Sequence, residues 1–326
     1  MTNVGGDVPG VMHRHVQAGQ LTMHIAEAGQ GPLVLLLHGF PESWYSWRHQ
    51  LPALAAAGYH AVAPDQRGYC GTGPAGRPSQ VADAGEYTIL HLVGDVIALM
   101  DALGKEQAVV AGHDWGAPVA WHAALFRPDR VRGVIGLSVP YRPRGSAPPI
   151  ATLRAVFGES FYMVYFQRPG VADAELSRDP AATFRRVLYS LSGEAPGMSL
   201  IPSGGGFLDA AAEPPELPPW LTQEDISAYV ASYAESGFTG PLNWYRNLDR
   251  NWELTSAWQH APVMVPALFL AGDRDPVLTF TSADGLNEVV PNLTRSLILP
   301  GCGHWTQQER PAEVNAAMIA FLRELG

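Results

Sequence analysis

The sequence predicts an α/β protein with a mostly parallel β-sheet, helices on both faces and an inserted helical lid. Short apolar runs alternate with helical segments in residues 1–139 and again in residues 263–326. Between them, residues 140–262 are rich in proline and glycine and contain helical segments but no convincing strand. We therefore predict a core domain of residues 1–139 and 263–326, with residues 140–262 as a lid inserted between two core strands.

The first part of the predicted core opens with a β-hairpin at residues 15–25, where apolar alternation is interrupted by a turn. The elements predicted after it are strands at 33–37, 61–63, 107–111 and 131–139, and helices at 43–57, 89–103 and 117–126. Because parallel strands end at one edge of a sheet, we expect the functional residues in the loops after these strands.

The predicted lid contains only helices, and the sheet resumes after it. The lid helices are predicted at residues 151–166, 180–191, 224–236 and 242–252. The remaining core elements are predicted as strands at 266–270 and 296–299 and a closing helix at 312–325.

Composition narrows the class of partner. The chain has 326 residues, 47% of them hydrophobic, and a net charge of -10 without any lysine or arginine cluster. This charge argues against nucleic acid and anionic membranes, and the longest aliphatic run, Leu33–Leu37, is too short to span a bilayer. We expect a small molecule and water as partners, and we make no prediction of oligomeric state.

Cysteine usage and the first residues predict a cytoplasmic location. Only Cys70 and Cys302 are present, far apart in the chain, so no disulfide framework is implied. The first ten residues lack the basic and apolar regions of a signal peptide. The sequence also has no His-Glu-x-x-His pattern and no paired Cys-x-x-Cys, so we expect neither a metal nor another cofactor.

The segment Gly112-His-Asp-Trp-Gly116 is the most informative motif. A Gly-x-nucleophile-x-Gly turn between a buried strand and a helix is typical of the nucleophile elbow of the α/β-hydrolase fold, which usually carries serine. Here Asp114 occupies that position. A carboxylate is ionised at neutral pH and can attack an sp3 carbon to give an ester that water later cleaves.

Cleavage of such an ester requires a general base and an oxyanion hole. His304 follows the last predicted strand, and Asp275 follows the preceding one, which gives the chain order nucleophile, acid and histidine of this fold. Asp273 is the rival for the acid. The other histidines, including His113, are interpreted as structural.

Two backbone amides are expected to form the oxyanion hole. They belong to Trp115, the residue after the nucleophile, and to Phe40, in the loop after the early strand. Pro41 follows Phe40 directly, and a cis peptide bond between them would fix this turn.

Six segments together resemble the soluble epoxide hydrolases of the α/β-hydrolase fold, over nearly the whole chain. They lie at residues 38–48, 65–69, 112–116, 165–170, 236–247 and 303–306. The resemblance implies Asp114 as nucleophile, His304 as base, Asp275 as its partner, and the amides of Phe40 and Trp115 as the oxyanion hole. Cys70 departs from the glycine usual after Asp65-Gln-Arg-Gly-Tyr69, which puts the conformation of that loop in question.

The same resemblance implies two lid tyrosines that hydrogen-bond the epoxide oxygen, Tyr162 and Tyr245. A phenol with a pKa of about 10 is protonated at neutral pH and can donate to the departing oxygen. Tyr165 is the competitor of Tyr162, since it lies one helical turn away.

Two alternative functions are weighed against epoxide hydrolysis. Haloalkane or haloacid dehalogenases use the same aspartate and histidine, but halide leaves without a proton, and two tyrosines favour an oxygen leaving group. A non-catalytic binding protein of the same fold would be favoured by loss of a triad member, and all three members are present.

Overall fold

A single nine-stranded sheet organises the chain. The computed structural model describes residues 6, 8–74 and 83–326. Its strands are β1 Met12–Ala18, β2 Leu21–Ala28, β3 Leu33–Leu37, β4 His60–Pro64, β5 Gly73–Pro74, β6 Ala108–His113, β7 Val131–Leu137, β8 Ala267–Gly272 and β9 Leu293–Leu299. The predicted α/β class with a mostly parallel sheet is confirmed.

The strand order is β1-β2-β4-β3-β6-β7-β8-β9, with β5 paired to β2. The six strands from β4 to β9 in this order are mutually parallel, whereas β1, β2 and β5 form antiparallel pairs. The chain leaves β3 towards β4 but later returns on its other side as β6. This reversal makes the β3/β6 boundary a topological switch point, where α/β proteins bind ligands at the carboxyl ends of the strands.

Thirteen helices in the described residues surround the sheet. They are α1 Gln50–Ala56, α2 Ile89–Ala102, α3 Gly116–Phe126, α4 Pro149–Phe157, α5 Tyr162–Tyr165, α6 Val171–Arg178, α7 Pro180–Ser190, α8 Gln223–Tyr233, α9 Thr239–Arg246, α10 Leu248–Leu254, α11 Leu286–Val289, α12 Thr306–Glu309 and α13 Pro311–Glu324. Right-handed crossovers that step in opposite directions across the sheet put α1 and α3 on opposite faces. None of the described helices is long and apolar enough to cross a membrane.

Several predicted core segments have different bounds in the structure. The helix predicted at 43–57 is a 3₁₀ turn, Trp44–Trp47, followed by α1. Trp44 and Trp47 are both fully buried, and a spacing of three residues places them on one face of a 3₁₀ turn. The strand predicted at 296–299 begins earlier, at Leu293, because the whole segment pairs with β8.

Residues 140–262 contain helices and no strand, as expected, but the helices are shorter than predicted. The helix predicted at 151–166 is split into α4 and α5 at Gly158, whose positive φ of 76° ends α4. The helix predicted at 242–252 is likewise two helices, α9 and α10. Helix α6 was not predicted from the sequence, and it buries only Ala172 and Leu176.

Gly116 lets α3 pack closely against the end of β3. A Cβ at this position would collide with the backbone carbonyl of Leu37. Gly94, in the middle of α2, is exposed and has no atom near its would-be Cβ. The two helical glycines therefore serve different purposes, and only the first is required by packing.

We expect Gly116→Ala to lower the free energy of unfolding by about 3 kcal/mol, because backbone must move to admit the new methyl group. Gly94→Ala should instead raise it by about 0.5–1 kcal/mol through the better helix propensity of alanine. Urea unfolding of both variants measures this. An equal effect of the two substitutions would contradict the packing argument.

Candidate active site

Asp114 lies at the carboxyl end of β6, in the turn that leads into α3. Its φ is 48°, a left-handed conformation that is uncommon outside glycine and costs free energy. Cβ atoms at Gly112 or Gly116 would collide with neighbouring backbone, so the tight turn depends on both glycines. The turn leaves the Asp114 side chain 15% exposed, above the edge of the sheet.

The loop after β3 brings a backbone amide to this carboxylate. The N–H of Phe40 donates to Asp114 Oδ1 over 2.7 Å. The peptide bond between Phe40 and Pro41 is cis, in agreement with the prediction. Trp115, the other predicted amide donor, is the residue from which α3 begins.

His304 connects the two predicted carboxylates. Its Nδ1 lies 2.9 Å from Asp275 Oδ2, and its Nε2 lies 3.4 Å from Asp114 Oδ2. Asp273, the rival for the acid, instead accepts the backbone N–H of Gly301 over 2.7 Å. The structure therefore brings Asp275 to the histidine and leaves Asp273 to hold the loop after β9.

The charges of this trio shift one another. Burial lowers the pKa of His304, but Asp275 and Asp114 together outweigh burial and hold that pKa well above its ordinary value. Burial raises the pKa of Asp114, yet the hydrogen bond and charge of His304, with the Phe40 amide, bring it below its ordinary value. Asp114 is therefore an ionised carboxylate beside a histidine that favours its protonated form.

Two tyrosines face Asp114 from helices of the segment 140–262. Tyr162 in α5 and Tyr245 in α9 have ring centroids 6.0 Å apart and border the same cavity as Asp114 and His304. Burial, and then the charge of Asp114, raise the pKa of each phenol well above 10, so both remain protonated donors. The competitor Tyr165 does not line this cavity, and its hydroxyl donates to Glu175 over 2.8 Å.

Two cavities meet at Asp114. One, of about 210 Å³, extends beneath aromatic and aliphatic side chains that include Phe161, Phe166 and Phe207. The other, of about 340 Å³, extends along α3 and α10. Both are bordered by Asp114, Tyr162 and Tyr245, so a reacting carbon beside the carboxylate can carry substituents in two directions.

A second histidine supports the backbone of His304, and this contact was not predicted from the sequence. His113, interpreted as structural, is fully buried between Glu42 and the backbone of His304: Nδ1 lies 2.8 Å from Glu42 Oε2, and Nε2 lies 2.7 Å from the His304 carbonyl oxygen. Its position next to Asp114 in the sequence is the one feature that could have indicated these contacts. Among the described residues, no cluster of three or more histidine, cysteine, aspartate or glutamate side chains could hold a metal.

Cys70 occupies the loop position at which the resemblance leads one to expect glycine. Its φ is 48°, so this residue adopts the left-handed backbone that glycine favours, with its side chain buried. Neither Cys70 nor Cys302 forms a disulfide.

We expect Asp114→Asn to lower the pKa of His304, since it removes one of the two negative charges that stabilise the imidazolium. Titration of the His304 ring by NMR, in the parent protein and in the variant, measures the shift. An unchanged or raised pKa in the variant would contradict the electrostatic description of the site.

Comparison with known proteins identifies the family. The family description that matches residues 32–311 is the alpha/beta hydrolase fold. Epoxide hydrolase A of Mycobacterium tuberculosis is 49% identical over 321 residues, which cover 96% of this chain and 97% of that protein. Epoxide hydrolase 3 of Siraitia grosvenorii is 44% identical and covers 96% of this chain and 99% of its own length.

Solved structures agree with these relatives. Epoxide hydrolase A from Mycobacterium thermoresistibile has a TM-score of 0.88 at 49% identity, over 96% of this chain and 98% of that one. An epoxide hydrolase from an endophytic Streptomyces has a TM-score of 0.92 at 44% identity, over 97% and 96%. Epoxide hydrolysis is therefore favoured over dehalogenation and over a non-catalytic role. The chain belongs to the epoxide hydrolases of the α/β-hydrolase fold family.

Proposed function

We propose that this enzyme opens epoxides to vicinal diols through a covalent ester on Asp114. The observation that carries the proposal is the position of the Asp114 carboxylate, which accepts the Phe40 amide over 2.7 Å and lies 3.4 Å from His304 Nε2. Tyr162 and Tyr245 border the same cavity. One carboxylate thus meets the groups needed both to form an ester and to cleave it.

In the first step an Asp114 oxygen attacks an epoxide carbon, and the strained C–O bond breaks. Because Oδ1 is held by the Phe40 amide, we assign the attack to Oδ2. The departing oxygen takes a proton from Tyr162 or Tyr245, whose raised pKa values keep both phenols protonated until that moment. The product of this step is a hydroxyalkyl ester of Asp114.

In the second step His304 removes a proton from water, and the resulting hydroxide attacks the ester carbonyl carbon. Oδ1 becomes the oxyanion, which the amides of Phe40 and Trp115 stabilise. The acyl C–O bond then breaks, the departing alkoxide takes the proton of the new carboxyl group, and the diol and the Asp114 carboxylate result. The proton that His304 loses before it acts as a base returns the tyrosine phenolate to a phenol. Asp275, bonded to Nδ1, orients the ring and stabilises its positive charge.

Ester formation itself prepares His304 to act as a base. The negative charge of Asp114 is one of the causes of the raised His304 pKa. Conversion of Asp114 to a neutral ester removes that charge, so the pKa of His304 falls and its unprotonated form becomes accessible. The histidine is therefore a stronger candidate for the base after the first step than before it.

We further propose that residues 140–262 form the lid of a core built from residues 1–139 and 263–326. In support, Tyr162 and Tyr245 come from this segment, whereas Asp114, Asp275 and His304 follow strands of the sheet. The lid then supplies the leaving-group donors, and the core supplies the nucleophile and the base.

The cytoplasm remains the proposed location. Both cysteines of the chain, Cys70 and Cys302, are buried and unpaired, as expected of a protein kept in a reducing compartment. Fractionation of the producing cell tests this, and recovery of the enzyme only outside the cytoplasm would contradict it.

We expect a His304→Gln variant soaked with styrene oxide to gain the mass of one epoxide, attached to Asp114. Attack by the carboxylate does not require the histidine, whereas cleavage of the ester does. Intact-mass and peptide analysis measure the adduct, and the double variant His304→Gln/Asp114→Asn is the matched control. The absence of an adduct, together with no diol from the parent enzyme over a varied epoxide panel, would overturn the proposal.

We expect Tyr162→Phe to lower the rate of ester formation by about 100-fold, because an alkoxide left without its proton donor is poorly stabilised. Tyr165→Phe should have little effect, since that hydroxyl bonds Glu175 outside the cavity. Stopped-flow measurement of the first step compares the two. An unchanged rate in Tyr162→Phe would return the role to Tyr165 or remove it from the proposal.

A further inference from the structure

A carboxylate on α12 holds the backbone on both sides of His304. Glu309 Oε2 accepts the N–H of Gly303 over 2.8 Å, and Oε1 accepts the N–H of Trp305 over 3.0 Å. Oε2 also accepts the N–H of Gly193 over 2.9 Å, from the loop that follows α7. One partly buried carboxylate therefore binds three backbone amides that flank or face the histidine.

The loops at 193 and 303 approach one another too closely for side chains. A Cβ at Gly303 would collide with the Gly193 nitrogen, and a Cβ at Gly193 would collide with the Gly301 carbonyl oxygen. Two backbone N–H groups consequently point to the same place. An anion meets both donors, and charge-assisted hydrogen bonds of this kind are stronger than neutral ones.

Other contacts hold the same loop to the end of α7. The N–H of His304 donates to the Leu191 carbonyl over 2.8 Å, and Trp305 Nε1 donates to the Leu188 carbonyl over 2.7 Å. These bonds hold the loop that carries His304 against the end of α7. Of the three amides bound by Glu309, those of Gly303 and Trp305 flank His304 in the chain, and that of Gly193 lies in the facing loop. These bonds therefore fix the orientation of the His304 backbone and, through it, of the ring.

We propose that Glu309 is a positioning residue for His304 that acts on cleavage of the Asp114 ester and not on its formation. The proposal rests on the two-step reaction above. Formation of the ester needs an ionised Asp114 and the tyrosine donors, none of which Glu309 touches. Cleavage needs a water proton aimed at His304 Nε2, and proton transfer is sensitive to small displacements of the base.

The test is the kinetics of Glu309→Gln, with Glu313→Gln as the matched control. The amide keeps the size of the side chain but presents an NH₂ group to at least one of the three N–H donors. Glu313 is exposed and pairs with Arg310, so its substitution also replaces a carboxylate by an amide but removes no hydrogen bond to the backbone amides of Gly193, Gly303 and Trp305. Stopped-flow and steady-state measurements on both variants give the rates of the two steps separately.

We expect the ester-cleavage rate of Glu309→Gln to fall by about 10- to 100-fold, with the rate of ester formation unchanged. When cleavage alone is slowed, the ester accumulates and kcat and KM fall together, so kcat/KM stays within about twofold of the parent value. Glu313→Gln should match the parent in both steps. A purely structural role would instead reduce the active fraction and lower kcat at constant KM.

Two results would overturn the proposal: a loss of kcat at constant KM, or parental rates of both steps. Should Glu309→Gln fail to fold, Glu309→Asp, which keeps the charge but cannot reach all three amides, should show the same pattern with a smaller change. Failure here is distinct from failure of the proposed function. No Asp114 ester in His304→Gln, together with no diol from the parent enzyme, would refute the proposed function. An ester that forms and is cleaved at the parental rates in Glu309→Gln would refute only the role of Glu309.

Discussion

The left-handed backbone at Asp114 is the constraint on which the site depends. It turns the chain sharply from β6 into α3 and raises the carboxylate above the edge of the sheet, at the switch point beside β3. Gly112 and Gly116 have no Cβ, and this leaves room for the backbone to pack closely around the turn. From that position the carboxylate can meet the Phe40 amide and the His304 ring simultaneously, although the three residues lie far apart in sequence.

The electrostatics of the site follow from the same placement. Asp114 and Asp275 lie at opposite nitrogens of the His304 ring, and the charge of each aspartate favours the protonated form of the histidine. The pair with Asp275 persists through the reaction, but the charge on Asp114 disappears when an ester forms. In the proposed reaction Asp114 is the nucleophile, and its conversion to an ester also determines when His304 can act as a base, so that cleavage follows ester formation.

The sequence was sufficient for the features that depend on local pattern and chain order. The buried strands, the elbow at Asp114 and the order of acid and histidine all follow from such patterns. Helix breaks such as Gly158 depend on how residues 140–262 pack, and the choice of Tyr162 over Tyr165 depends on which ring faces the cavity. Glu309 could not be found in this way, because its partners are backbone amides, one of them more than a hundred positions away.

The central claim is that the oxygen added to the epoxide comes first from Asp114 and only later from water. A single turnover with excess enzyme, in water enriched in heavy oxygen, tests it directly. We expect an unlabelled diol and a labelled Asp114 carboxylate, because water attacks the ester carbonyl and leaves its oxygen on the enzyme. A labelled diol with an unlabelled Asp114 after that first turnover would mean that water attacks the epoxide directly, and would contradict the account.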